Sequence, residues 1–258
     1  MKTTNYIIKR DKSSIISFPF TSKNPHYILS KKEFFGENFL IKKNNTIYQR
    51  LISIRIKINF KNKNKDILSR RKGNGYWLWK PYFILKTLKD KLNKGDYLIY
   101  TDSGIMYLDK VEKIINFMIS KNEDIWAIRT GYIEKRYTKR DAFILLDADS
   151  PIYVDTYQYM AGIQIYKKSN FSEDFVERLL NYSIDKRIIT DDPNTLGLPN
   201  YEGFIGNRHD QTVLSLLTKK FRYSHLNKNK TKASDLNKIN VNLMPNIFCI
   251  YRRSKFKS

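Results

Sequence analysis

The chain has a single cysteine, Cys249, in 258 residues, which excludes an internal disulfide framework and predicts a reducing compartment. Without a second cysteine there is no thiolate pair for a zinc site, so Cys249, inside the apolar run IFCIY at 247–251, reads as a small core residue of a late strand. Acids are scarce: 25 Asp and Glu stand against 48 Lys and Arg, a formal charge of +23. Such an excess favours acidic partners, namely nucleic acid, an anionic membrane surface or phosphorylated small molecules. Much of it lies in dispersed Lys/Asn-rich text such as 61–65 and 227–232, which reads equally well as a solvated surface. The N-terminus MKTTNYIIKRDKSS lacks the apolar stretch and small-residue cleavage site of a signal peptide. No run approaches the ~18 apolar residues of a spanning helix. The expectation is a cytoplasmic chain, with any membrane contact peripheral and at the inner face.

What is present begins to organise near residue 70. The length fits one large domain. SIISF at 14–18 reads as a first strand, while 30–72 reads as a helix and mixed short elements. Ile84, Leu85, Leu88 and Leu92 share one helical face, and residues 93–95 (NKG) supply a stop. YLIY at 97–100 follows as a buried strand. Val111, Ile114, Ile115, Met118 and Ile119 predict a second core-facing helix, and 125–128 another strand. This alternation predicts parallel pairing with helices on both faces. Residues 140–147 are open between helix and strand. YMAGIQIY at 159–166 reads as a strand with a close approach at Gly162. A helix follows with Asn170 and Glu173 as its capping box, and another begins near Asp210. The aperiodic stretch 191–208 is long enough to be a functional loop.

Several places carry chemistry. Asp102 follows a buried strand directly, at the carboxyl end where open α/β sheets bind ligands; it reads either as a ligand for a divalent cation or as an ordinary Asp-Ser-Gly turn. Tyr76, Trp77, Trp79 and Tyr82 crowd around Lys80 and Pro81, with flat faces suited to sugars or bases, although at least one Trp is expected in the core. Asp147 and Asp149 read as a solvated turn before a metal pair. Arg208, His209, Asp210 and Gln211 enter an apolar helix whose first amides favour an anion. His209 is a candidate metal or phosphate ligand and Asp210 a candidate base, while Asp210 taken alone reads as an N-cap. Lys80, Arg70 and Arg71 are candidate phosphate partners.

Together the blocks GYWLWKPYFIL at 75–85, GDYLIYTDSG at 95–104, QYMAG at 158–162 and RHDQTVLSLL at 208–217 resemble GT-A-type glycosyltransferases, within them a glycosyltransferase-like group encoded in bacterial and viral polysaccharide clusters. The resemblance spans about 70–221; residues 1–69 match poorly and 222–258 form a basic C-terminal extension. It implies a single α/β domain with a Rossmann-like, mixed but mostly parallel sheet flanked by helices. It also implies transfer of a sugar from a nucleotide-diphosphate sugar to a hydroxyl of a glycan or lipid-linked acceptor, in polysaccharide or glycan biosynthesis. Under it Asp102 and His209 are metal residues for Mn2+ or Mg2+, although Gly104 stands where the motif has its second acid. Asp210 is the catalytic residue, and Tyr76, Trp77, Trp79, Lys80, Arg71, Ser103, Gln158, Gly162, Arg208 and Gln211 bind donor or acceptor. The alternatives are a basic nucleic-acid-binding protein, which leaves the acids beside the aromatics unexplained, and a catalytically inactive sugar-nucleotide-binding scaffold. No nucleic-acid partner is expected under the transferase reading.

The charge makes a prediction of its own: each Lys or Arg near an anionic leaflet contributes about 1 kcal/mol. The chain is expected to co-float with phosphatidylserine vesicles at physiological salt and not with neutral ones; failure to co-float removes the membrane contact.

Overall fold

The computed structural model describes residues 4–9, 12–19, 58–102, 105–107, 112–222, 224, 231–238 and 248–250. Five strands form one sheet: β1 (Thr4–Lys9), β2 (Lys12–Pro19), β3 (Tyr97–Thr101), β5 (Ile125–Ile133) and β6 (Tyr157–Lys167). Two short strands, β4 (Ile105–Tyr107) and β7 (Phe248–Ile250), pair separately, with Cys249 opposite Met106. The longer helices among the described residues are α1 (Trp79–Lys91), α2 (Glu112–Ser120), α3 (Asn170–Ser183) and α4 (Asp210–Arg222). The expected helix and mixed elements of 30–57 lie outside the described residues.

The alternation of strand and helix is as expected, and residues 140–147 resolve as a short helix, Arg140–Leu145. The parallel pairing is not observed. The sheet order is β2-β1-β3-β6-β5, and every neighbouring pair is antiparallel. The physical reason is an inserted strand. β3 and β5 run in the same direction, as a strand-helix-strand unit through α2 requires, but β6 lies between them and opposes both. Periodicity can detect each strand, whereas adjacency is decided by long-range pairing.

Helices cover both faces, because β3 is buried on both sides and its side chains alternate. Leu98 and Tyr100 face one layer with Phe83, Leu88, Phe175, Val176 and Leu216 from α1, α3 and α4. Tyr97 and Ile99 face the other, with Ile114, Ile115 and Met118 from α2. An α/β class with a helical layer on each face is therefore the observed architecture. The cap of α3 sits one residue earlier than expected: Ser169 accepts from the Ser172 amide, and Ser172 Oγ accepts from the Ser169 amide. Ser169 is extended at φ −152°, so its hydroxyl reaches the first-turn amides; Asn170 is already helical.

Between α4 and the sheet lies a polar cluster with no exposed member. Lys219 Nζ is 2.8 Å from Glu134 Oε1, and Ser215 donates to the same oxygen. Glu134 Oε2 accepts from Thr138 at 2.6 Å and from Gln158 at 2.9 Å. Burial pushes the Lys219 ammonium down to about 8 against the pull of Glu134. Breaking such a pair from one side leaves an uncompensated interior charge. Glu134→Gln or Lys219→Met alone is expected to cost about 3–5 kcal/mol in urea unfolding, and the double variant much less than the sum. Additive losses would show that the two charges do not compensate each other.

Candidate functional site

Three elements converge on one ammonium. Lys80 lies in the first turn of α1, where Pro81 is tolerated because the amides there lack helical partners. Its Nζ stands 3.0 Å from Asp102 Oδ1, just past β3, and 2.8 Å from Asp210 Oδ2, at the start of α4. The Lys80 side chain is only 4% exposed and that of Asp210 12%, whereas Asp102 is 42% exposed. Tyr100, two residues upstream on β3 and so on the same face as Asp102, donates its hydroxyl to Asp102 Oδ1 at 2.6 Å. The Lys80 ammonium also lies 5.3 Å from the Tyr100 ring centroid and 5.8 Å from that of Trp77.

The electrostatics follow from burial. Burial opposes the charge on Lys80, but Asp102 and Asp210 outweigh it and hold its pKa above the ordinary value. For Asp210 burial wins: it pushes the carboxyl up from 3.8 to about 6, with Lys80 opposing and Asp102 adding to the rise. A carboxylate with that pKa takes up protons near neutral pH, as a general base must.

Gly162 makes room for Asp102. Its carbonyl accepts the Asp102 amide at 2.8 Å, and a Cβ there would stand 3.1 Å from Asp102 Oδ2. Between the pairs Ala127–Gln164 and Arg129–Tyr159, β6 takes five steps where β5 takes two, so β6 bulges at this point.

The roof is a left-handed turn. From Gly73 to Trp77 every residue has positive φ, including Asn74 at 54°, Tyr76 at 51° and Trp77 at 61°. Each non-glycine residue there costs roughly 1–2 kcal/mol. Gly73 is required because the Trp77 indole lies over it, where a Cβ would come within 2.4 Å. His209 has φ 55° and packs its ring against Tyr76 at 4.7 Å and Trp77 at 5.6 Å. Among the described residues, four of the six non-glycine residues with positive φ thus gather here, which marks a site where strain is retained.

The remaining expected residues divide. Trp79 is a core residue whose indole donates to Gly73 O at 3.0 Å. Arg71 is exposed, while its neighbours Arg70 and Lys72 reach Asp192 and Asp191. Ser103 lies outside the described residues. Gln158 is fully buried and accepts from Gln211 at 2.7 Å, which ties the start of α4 to the polar cluster around Glu134. Arg208 stacks on Tyr132 and Tyr137. Asp147 and Asp149 do not converge: Lys220 takes the first, and Arg140 with Tyr201 the second.

The expected metal pair of Asp102 and His209 is not brought together. His209 Nδ1 is 2.8 Å from Ile189 O, a carbonyl that only accepts, so Nδ1 carries the proton. Its Nε2 faces Asp191 Oδ1 at 3.6 Å rather than Asp102, and burial lowers the imidazole pKa. A dication between Asp102 and Asp210 would meet the ammonium already there. The donor set does not fit Mn2+ or Mg2+ held by Asp102 and His209, and among the described residues no group of three or more His, Cys, Asp or Glu gathers as a metal site would.

Sequence reading missed Tyr100, Tyr132, Tyr137 and Asp191 as partners of the site. Tyr100 had a signal, its period-2 spacing from Asp102; the others come from elements distant in the chain, Tyr132 from β5, Tyr137 from the helical turn after it and Asp191 from the stretch before α4. No protein-family model matches the chain, and neither does any curated protein or solved structure.

The shift of Asp210 has a sign that can be measured. Between 3.8 and about 6 the folded chain holds more protons on Asp210 than the unfolded chain does. The contribution of this group to stability therefore falls as pH rises through that window and is level above it, a change of up to about 3 kcal/mol. In urea unfolding across the window, wild type minus Asp210→Asn is expected to show this slope; a flat difference would place the carboxyl at its ordinary pKa.

Proposed function

We propose that the chain is a GT-A-type glycosyltransferase, moving a sugar from a nucleotide-diphosphate sugar to a hydroxyl of a glycan or lipid-linked acceptor in polysaccharide or glycan biosynthesis. The observation that carries the reading is the lysine-bridged aspartate pair: Asp102 half-exposed at the carboxyl end of β3, Asp210 buried opposite, Trp77 beside them. Carboxylate oxygens accept from sugar hydroxyls while an indole covers the apolar face of the ring. The reading needs a strand end facing a helix start, not a parallel sheet, and that juxtaposition is present.

In this mechanism Asp102 binds sugar hydroxyls with its exposed oxygen, and Lys80 fixes the two acids relative to each other. Asp210, ionised above about 6, takes the proton from the acceptor hydroxyl as its oxygen attacks the anomeric carbon. The bond from that carbon to the diphosphate breaks, and the diphosphate leaves with the electron pair. Tyr76 and Trp77 exclude water from one side. The nucleic-acid alternative has little to rest on here, since two carboxylates at the centre repel a polynucleotide backbone. A cytoplasmic place at an anionic leaflet belongs to the same proposal. Among the described residues no helix is long and apolar enough to cross a membrane.

The test is a thermal-shift screen of nucleotide-diphosphate sugars, followed by a transfer assay with the donor that raises the melting temperature. Asp210→Asn is expected to reduce kcat by about 10²–10⁴-fold, and Asp102→Asn to raise KM for the donor. A folded Asp210→Asn protein that transfers sugar at the wild-type rate sinks the mechanism. Binding without transfer in wild type supports the inactive scaffold instead.

A further inference from the structure

We infer that Arg208, not Lys80, is the anion-binding residue of this site, and that its ligand is a phosphate or diphosphate group. The identity of the diphosphate as the donor's rests on the transferase reading; the anion site itself does not.

Lys80 is the obvious cation and the wrong one. Its ammonium lies within 3.0 Å of two carboxylates, and one positive charge against two negative ones leaves an excess that repels phosphate whenever Asp210 is ionised. Of the other cations, Arg71 is exposed and, among the described residues, has no ring or carboxylate to hold its guanidinium in place, and the rest are engaged. Lys72 pairs with Asp191 at 2.8 Å, Arg70 with Asp192 at 3.3 Å, and Lys139 donates to Asp192 O at 2.5 Å. Lys219 is buried against Glu134.

Arg208 differs from all of these. Its guanidinium carbon lies 3.9 Å from the Tyr132 ring centroid and 4.7 Å from that of Tyr137, and among the described residues no carboxylate pairs with it. The two rings touch each other at 4.9 Å and are tilted by 67°, so together they form one aromatic corner against the guanidinium rather than a sandwich, and the N–H groups on its outer edge keep the fork that takes a phosphate with two parallel hydrogen bonds. The residue is half-buried and held by its backbone: its amide donates to Tyr137 O at 3.0 Å, an oxygen that also accepts from Gln158 at 3.3 Å and Thr212 at 3.2 Å. Gln158 in turn holds Gln211, so Arg208 is fixed at the entry of α4, two residues before Asp210. A cation held on aromatic rings with unused edge donors, two residues ahead of the proposed base in the chain, is the group this proposal assigns to the leaving diphosphate.

The probe is inorganic pyrophosphate, titrated calorimetrically into the full chain at physiological salt. Wild type is expected to bind, and Arg208→Gln to weaken binding about tenfold or more. Arg208→Lys, which keeps the charge but loses the fork, should fall between them and serves if the Gln variant fails to fold. Lys94→Gln, an exposed lysine in the turn after α1, controls for the general charge and should bind as wild type. The inference is overturned if Arg208→Gln binds as wild type does, if Lys94→Gln loses as much, or if wild type does not bind. Competition by uridine or guanosine diphosphate against farnesyl diphosphate assigns the group to a nucleotide donor or a lipid-linked acceptor. The two proposals fail separately. No transfer from any donor, with pyrophosphate still lost in Arg208→Gln, removes the transferase and keeps the anion site. Transfer with an unchanged donor KM in Arg208→Gln removes only Arg208.

Discussion

The placement of Lys80 between Asp102 and Asp210 constrains everything around it. An ammonium 4% exposed is tolerable only if carboxylates compensate it, and these come from the end of one strand and the start of one helix. The bridge therefore locks α1 and β3, which are consecutive in the chain, to the distant α4 at a single point. The compensation is uneven. The Asp102 side chain is half-exposed beside Gly162, whereas Asp210 is buried and has its pKa raised, so two identical side chains are put in different electrostatic states by their surroundings.

The strain fits the same account. Three non-glycine residues of the turn before α1, with His209 before α4, adopt a backbone conformation that L-residues avoid. They are in mutual contact, Tyr76 and Trp77 against the His209 ring, and the Ile189 carbonyl fixes that ring from behind. Strain of this kind persists only where packing over-determines it. Here Trp77 lies over the Lys80 ammonium, and Gln158 links the buried Glu134–Lys219 pair to Gln211 at the start of α4.

Local signals proved legible and long-range ones did not. The helical face of Ile84, Leu85 and Leu88 and the buried strand at 97–100 follow from periodicity, and both are present. The sheet direction failed because nothing in 157–167 says that β6 intervenes between β3 and β5. At the site, Asp102, Lys80 and Asp210 were each legible as isolated candidates, but not their contact. The resemblance led to a metal on Asp102 and His209; the backbone at His209 turns its ring toward Ile189 and Asp191 instead. Lys80 was legible as a cation, whereas the two carboxylates that face it come from 102 and 210 and leave no local signal of the contact.

A chain of net charge +23 with two carboxylates at its candidate site divides labour by distance. Dispersed lysines act at long range, where a net positive field raises the local concentration of any anionic partner but is screened beyond about 8 Å from each charge. That field cannot orient a ligand. Orientation has to come from groups at contact, and those at the centre are carboxylates, which select hydroxyls and reject phosphate. Under the proposed transferase reading, a sugar joined to a diphosphate is expected to bind with its sugar toward Asp102 and Asp210 and its phosphates displaced toward an unpaired cation. Under the transferase reading this ordering explains why Lys80 is neutralised: if its charge were free, the diphosphate would be drawn onto the base that must accept the proton.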